Sequence, residues 1–104
     1  MSYTIFHESQ LEWHPRAEDD PRSIAALSDA MTKSRANIWR YPPGSVGKRH
    51  SDPIQEEVFV VLDGRLTVHL GEGHAPDLHE LARGSVLVVQ PGTPLQLSNR
   101  GDEE

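Results

Sequence analysis

Short runs of β-branched and aromatic residues, separated by turns rich in glycine and proline, follow one another from Arg35 to Asn99. Strands and turns that recur about every 8 to 12 residues are typical of an all-β sandwich or jelly-roll barrel. We predict strands over residues 35–41, 57–62, 65–70, 77–81, 85–89 and 95–99, with turns at 42–44, 63–64, 71–76, 82–84 and 91–94. Together these strands predict a barrel over residues 35–104.

The segments Glu57–Leu62 and Arg65–Leu70 are joined by Asp63-Gly64, a dipeptide that favours the turn of a two-residue β-hairpin. Such a hairpin pairs Leu62 with Arg65 and Phe59 with Val68. One of its faces is predicted to line the barrel interior and carries Glu57, Phe59, Val61, Leu66, Val68 and Leu70. The other face exposes the apolar side chains of Val58, Val60 and Leu62. These must be covered by the N-terminal segment, by a second subunit or by both, and we expect a homodimer.

Residues 1–34 are more polar and are predicted to wrap around and pack on the barrel. Tyr3–Phe6 has the composition of a short strand. Ser23 is a suitable N-cap for a short helix over Ile24–Met31, in which Ile24, Leu27 and Met31 share one apolar face.

The composition narrows the classes of partner. At 104 residues the chain supports one domain, and its 10 basic and 16 acidic residues give a net charge of −6. A negative chain without a Lys/Arg-rich run is poorly suited to nucleic acid. The longest apolar run, Val58–Leu62, is far shorter than the roughly 20 residues of a membrane span. We therefore expect a soluble, cytoplasmic protein that binds neither nucleic acid nor membranes. The absence of cysteine excludes thiolate chemistry.

Two stretches carry a recognisable motif pattern. Residues 44–64 place Gly44, His50, Glu57 and Gly64 at the offsets of G-x5-H-x-H-x3,4-E-x6-G. Residues 84–99 are similar to a G-D-x4-P-P-G-x-P-H-x3-N pattern and share its glycines, its second and third prolines and its final asparagine. Both patterns resemble the conserved motifs of the cupin superfamily. The resemblance implies an all-β double-stranded β-helix, here with a short N-terminal helix.

The resemblance also implies a ligand set. Metal-binding cupins use two histidines and a glutamate from the first motif and one histidine from the second. At these positions the chain carries His50, Asp52, Glu57 and Leu95. His50, Asp52 and Glu57 are therefore candidate ligands for one divalent ion, Mn, Fe, Ni or Zn. Because Leu95 has no donor atom, the alternative is a barrel that binds no metal.

Two carboxylates in an apolar barrel would cost several kcal/mol each without a compensating group. For Asp52 and Glu57 the sequence leaves four options open. They are a metal, protonation of one carboxyl group, His50 as imidazolium, or an inward arginine such as Arg35, Arg40 or Arg49.

Three functions fit these features. The favoured one is a module that binds a sugar, a phenolic compound or another small organic ligand. Its pocket would be polar at His50, Asp52 and Glu57 and apolar elsewhere, lined by Phe59, Val61, Leu66, Val68, Leu95 and Leu97. One alternative is a metal-dependent isomerase, decarboxylase or dioxygenase that uses the same three polar residues. The other is a non-catalytic protein-interaction domain. No catalytic residue is assigned.

Overall fold

A computed structural model describes residues 3–71 and 77–104. The described residues form eight short strands and two 3-10 turns, which confirms the predicted all-β class. No helix among them is long and apolar enough to span a membrane. Contacts divide the chain into an N-terminal unit, Met1–Tyr41, and a C-terminal unit, Pro42–Glu104. Most of the turn predicted at 71–76 lies outside the described residues.

The N-terminal unit contains a three-stranded antiparallel sheet in the order β1-β2-β3. Its strands are β1 (His14–Pro15), β2 (Ser23–Ala25) and β3 (Ile38–Arg40). The strand predicted over Tyr3–Phe6 is wrong, since these residues belong to no strand and the first regular element of the described chain is a 3-10 turn at Glu8–Gln10. The side chains of Tyr3 and Ile5 are 79% and 78% exposed, so they face solvent instead of packing on a neighbouring strand.

The helix predicted over Ile24–Met31 is also wrong. Ile24 pairs with Trp39 in the sheet, and only Leu27–Ala30 turns, as a 3-10 helix without a side-chain cap. A helix this short is marginal in water, whereas pairing with β3 satisfies the backbone and buries Ala25 to 1% exposure. Tertiary pairing therefore outweighs the local helical pattern.

Arg22, a buried residue just before β2, is hydrogen-bonded to Tyr41, which follows β3. The Arg22 guanidinium donates to both carboxylate oxygens of Asp20, with the shortest contact at 2.6 Å, and to the Tyr41 hydroxyl at 3.0 Å. Its central carbon lies 4.8 Å from the Trp39 ring centre, a cation–π arrangement. The hydrogen bonds from Arg22 hold the Asp20 pKa at about 2.

The C-terminal unit contains two sheets. A two-stranded sheet pairs β4 (Glu57–Val60) with β7 (Val86–Val89). A three-stranded sheet has the order β6-β5-β8, formed by β6 (Asp77–Ala82), β5 (Arg65–Leu70) and β8 (Leu95–Ser98). All pairs are antiparallel.

The predicted hairpin between β4 and β5 is wrong, because these strands lie in different sheets. Asp63-Gly64 forms a bend: Gly64 has a φ of +70°, and its N–H donates to the Asp63 side chain. The bend carries the chain from one sheet to the other, and the pairing predicted between Leu62 and Arg65 does not form. The Asp-Gly dipeptide thus specifies a local change of direction, while the partners of each strand are determined by residues distant in sequence.

The predicted alternation of inward and outward side chains is nevertheless confirmed. Val61 and Val68 are buried, at 7% and 0% exposure, together with Val89 and Leu95. The outward side chains of β4 and β7 are 51–62% exposed; they are Val58, Val60, Val86 and Val88. Burial alternates with period 2 along β4 and β7, even though β4 does not pair with β5.

Candidate functional site

The segment between Gly44 and His50 runs beside β8. The Gly44 N–H donates to the Asn99 carbonyl at 2.8 Å, and His50 and Leu95 exchange two backbone hydrogen bonds of 2.9 and 2.8 Å. Directly opposed residues of an antiparallel bridge point to the same face. His50 is therefore held beside Leu95, which is 1% exposed.

His50 and Glu57 meet at this position. Nε2 of His50 lies 3.3 Å from Oε2 of Glu57, and Nδ1 lies 3.1 Å from the Lys48 carbonyl oxygen. The histidine side chain is 45% exposed and the glutamate 23%, so solvent reaches the pair.

Each nitrogen of the His50 ring lies near an oxygen atom. A carbonyl oxygen only accepts, so Nδ1 must carry a hydrogen to bond to Lys48. The contact between Nε2 and the Glu57 carboxylate then needs a second proton, on either the imidazole or the carboxyl group. The pair can therefore hold one proton and pass it between a nitrogen and an oxygen, which suits it to bind a ligand hydroxyl or carbonyl group.

Asp52 is directed elsewhere. Its Oδ1 accepts the backbone N–H groups of Ile54 and Gln55, both at 2.9 Å. These bonds, that from Gln55 first, lower the Asp52 pKa below its ordinary value because they stabilise the carboxylate. Asp52 thus shapes the loop before β4 in the manner of an Asx turn.

This arrangement does not fit a metal ion. Among the described residues, no three His, Cys, Asp or Glu side chains are grouped as a metal site. His50 and Glu57 supply two donors, Asp52 is engaged by amides, and the fourth family position is the hydrocarbon of Leu95. Structural zinc sites take four protein ligands and catalytic ones three, so the two donors of this pair fall short of either set.

The apolar residues predicted to line a pocket all belong to the inward set of the C-terminal unit. Val61, Val68 and Leu95 are buried, whereas Phe59, Leu66 and Leu97 are half-buried. In the sheets, Leu66 is opposite Leu81 and Val68 is opposite Leu97.

Two of the three arginines considered as compensation, Arg40 and Arg49, have other partners. Arg49 donates to the Gly71 carbonyl at 2.7 Å, and the Arg40 guanidinium lies 3.9 Å from the Trp13 ring centre in the N-terminal unit. Sequence reasoning missed Asn99, which is 3% exposed: its side chain accepts the Gly101 N–H and donates to the Glu103 carbonyl. Its place in the second motif was the signal available for it.

Comparison with known proteins places these features in a family. Residues 37–104 match the Cupin_2 family, described as a cupin domain. A search of curated proteins by sequence found no match. The chain is similar in structure to KdgF from Halomonas sp., with a TM-score of 0.74 and 20% identity over 96% of this chain and 87% of that one.

Two further solved structures share the fold. A cupin-superfamily sugar phosphate isomerase from Silicibacter pomeroyi has a TM-score of 0.75 and 21% identity, over 96% of this chain and 69% of that one. CENP-C of Drosophila melanogaster, solved bound to CAL1, has a TM-score of 0.75 and 16% identity, over 95% and 78%. These likenesses confirm the double-stranded β-helix of the cupins. With its family match covering more than half of its residues, this chain belongs to the Cupin_2 family of cupin domains.

Proposed function

We propose that this cupin domain binds a small organic ligand at the inward face of its barrel, with His50 and Glu57 as the polar contact. The observation that carries the proposal is the 3.3 Å contact between these two side chains, both of which remain reachable by solvent. A polar pair beside apolar side chains is the usual composition of a small-molecule site.

The neighbouring side chains favour a ligand with both polar and apolar parts. Leu95 lies opposite His50 in the backbone bridge, and Leu97 and Val68 continue that surface. A ligand hydroxyl or carbonyl group could exchange a hydrogen bond with the pair while its carbon skeleton contacts the leucines. A sugar or a phenolic compound meets this description.

The alternative proposal is a metal-dependent isomerase, decarboxylase or dioxygenase that uses His50, Asp52 and Glu57. It requires Asp52, whose Oδ1 accepts two amide hydrogen bonds, to bring a carboxylate oxygen to a metal ion held by His50 and Glu57. One structural neighbour is a sugar phosphate isomerase. Metal analysis of protein purified without chelators separates the two proposals. The binding module predicts well under one equivalent of Mn, Fe, Ni or Zn per chain, and a full equivalent would favour the enzyme.

Ligand binding is tested by NMR, with a library of monosaccharides and simple phenols added to ¹⁵N-labelled protein. We expect a binding compound to shift amides of His50, Glu57 and Leu95 together, and Glu57→Gln to weaken its binding about tenfold by removing a charged hydrogen bond. Glu56→Gln is the matched control, since it makes the same change at the adjacent exposed residue. Equal effects of both variants, or shifts confined to other surfaces, would reject the barrel site.

The outward face of β4 and β7 favours a second candidate, self-association through a homodimer. Val58, Val60, Val86 and Val88 form a continuous apolar face there, and Leu62 beyond β4 is 60% exposed. Contiguous exposed apolar surface often marks a protein interface. The structural neighbour CENP-C was solved in complex with another protein, which supports an interaction role for this fold. Sedimentation equilibrium at micromolar concentration should show a dimer that Val60→Asp dissociates, and a monomeric wild-type protein would contradict this.

A further inference from the structure

A polar depression lies on the side of the three-stranded sheet opposite to Val68 and Leu97. It has a volume of about 310 Å³, and Arg65, Thr67, Leu78, Glu80 and Arg100 are among the residues that line it. Arg65 and Thr67 alternate with the inward residues of β5, and Glu80 is opposite Thr67 in β6. The depression is thus separate from the site proposed at His50 and Glu57. Its volume is at the lower end of the range of small-molecule sites.

Two arginines approach this depression with much of their hydrogen-bonding capacity unused. Arg65 donates to the Glu80 carboxylate through one nitrogen, Nη1, at 2.9 Å, and its side chain is 70% exposed. Nη2 of Arg100 lies 3.3 Å from Nε2 of His69. Since a guanidinium group has five N–H donors, each arginine keeps several for a further acceptor.

Positive charge predominates at the depression. A guanidinium group only donates, so Nε2 of His69 is the acceptor in its contact with Arg100. Glu80 is then the one carboxylate among the residues that line the depression, against the two guanidinium groups. The excess is positive although the sequence of residues 42–104 contains ten acidic and five basic residues.

We propose that this depression binds an oxyanion group, a carboxylate or a phosphate, of a small molecule through Arg65 and Arg100. Guanidinium groups bind both anions through paired, charge-assisted hydrogen bonds. Thr67 supplies a hydroxyl group beside them. The site stands on its own residues and does not depend on ligand binding inside the barrel.

The test is an NMR titration of the full chain with inorganic phosphate and with succinate, each against sodium chloride of equal ionic strength. We expect saturable shifts of the amides at Arg65, Thr67, Glu80 and Gly101, with a Kd on the order of 1 mM for at least one anion. Shifts with phosphate alone indicate a phosphorylated ligand, and shifts with succinate alone indicate a carboxylate. Shifts that do not saturate, or that centre on Lys48 and Arg49, would overturn the proposal.

A variant and its matched control make the test specific for Arg100. Arg100→Gln should weaken binding about tenfold, because it removes hydrogen bonds to a charged group. Arg83→Gln, the matched control, removes the same charge from an exposed turn and should change Kd less than about twofold, as expected for a screened charge. Equal weakening by both would mean that the anion senses only net charge, which contradicts the proposal.

Glu80→Gln provides a check that does not remove an arginine. It frees Arg65 from its carboxylate partner and should tighten anion binding several-fold, whereas Glu56→Gln, which loses the same charge beside the other sheet, should not. Unchanged or weaker binding in Glu80→Gln would argue against Arg65 as a ligand contact.

Discussion

Arg22 and Arg65 each pair with a carboxylate, but their surroundings differ. Arg22 is 8% exposed, contacts both oxygens of Asp20, donates to Tyr41 and stacks on Trp39. The Arg65 side chain is 70% exposed and makes a single bond to Glu80. An arginine whose donors are occupied and whose faces are covered stabilises structure. One with spare donors at a depression is available to a ligand.

Removing Arg22 should therefore produce the largest change in stability. Arg22→Gln breaks several charged hydrogen bonds and leaves Asp20 without its partner, so we expect a loss of about 2–3 kcal/mol in the free energy of unfolding. The chain's two tryptophans, Trp13 and Trp39, both lie in the N-terminal unit, so urea unfolding followed by tryptophan fluorescence reports on it. A loss below about 0.5 kcal/mol, the range of ordinary surface substitutions, would make Arg22 equivalent to an exposed arginine.

Low pH should lower the free energy of unfolding of the N-terminal unit. The Asp20 pKa is lowered from 3.8 to about 2, so its carboxylate is more stable in the folded state than in the unfolded one. The resulting stabilisation is fully present above pH 4 and is lost as the pH falls towards 2. Urea midpoints measured by tryptophan fluorescence should fall over this interval. They should fall less in Asp20→Asn, which cannot titrate, and parallel curves would assign the acid sensitivity to other groups.

Removing Arg65 should have the smallest effect on stability. An exposed ion pair contributes about 0–1 kcal/mol and is screened by salt, so Arg65→Gln should lower stability by less than about 1 kcal/mol. The difference from wild type should shrink further in 1 M sodium chloride. Urea unfolding followed by far-ultraviolet circular dichroism, which reports on the strands of both units, measures this loss. A loss as large as that in Arg22→Gln would remove the distinction between the two arginines.

The sequence predicted what depends on short-range pattern. Strands close to 65–70, 77–81 and 95–99 are present, and alternation identified Val61 and Val68 as inward and Val58 and Val60 as outward. The hairpin prediction was wrong because Asp63-Gly64 bends the chain locally but does not select the partner of either strand. The helix prediction was wrong because Ile24 pairs with Trp39 in the sheet. The pattern of residues 24–31 alone gives no information about that distant partner.

The candidate site was also predicted only in part. Motif spacing identified His50 and Glu57, which the structure brings within 3.3 Å. Spacing could not reveal that the Asp52 carboxylate turns towards the amides of Ile54 and Gln55, because that depends on the loop conformation. The depression at Arg65 and Arg100 was not predicted either. It depends on the register of β5 with β6 and on a contact between residues 31 positions apart.

The bridge between His50 and Leu95 has a consequence for hydrogen exchange. Each residue's amide is bonded to the other's carbonyl group, so neither hydrogen can exchange with solvent while the bridge is closed. The two amides should exchange at matching rates set by one opening event, although they are far apart in sequence. The backbone therefore couples the two motifs, and displacement of β8 at Leu95 would also move the imidazole of His50.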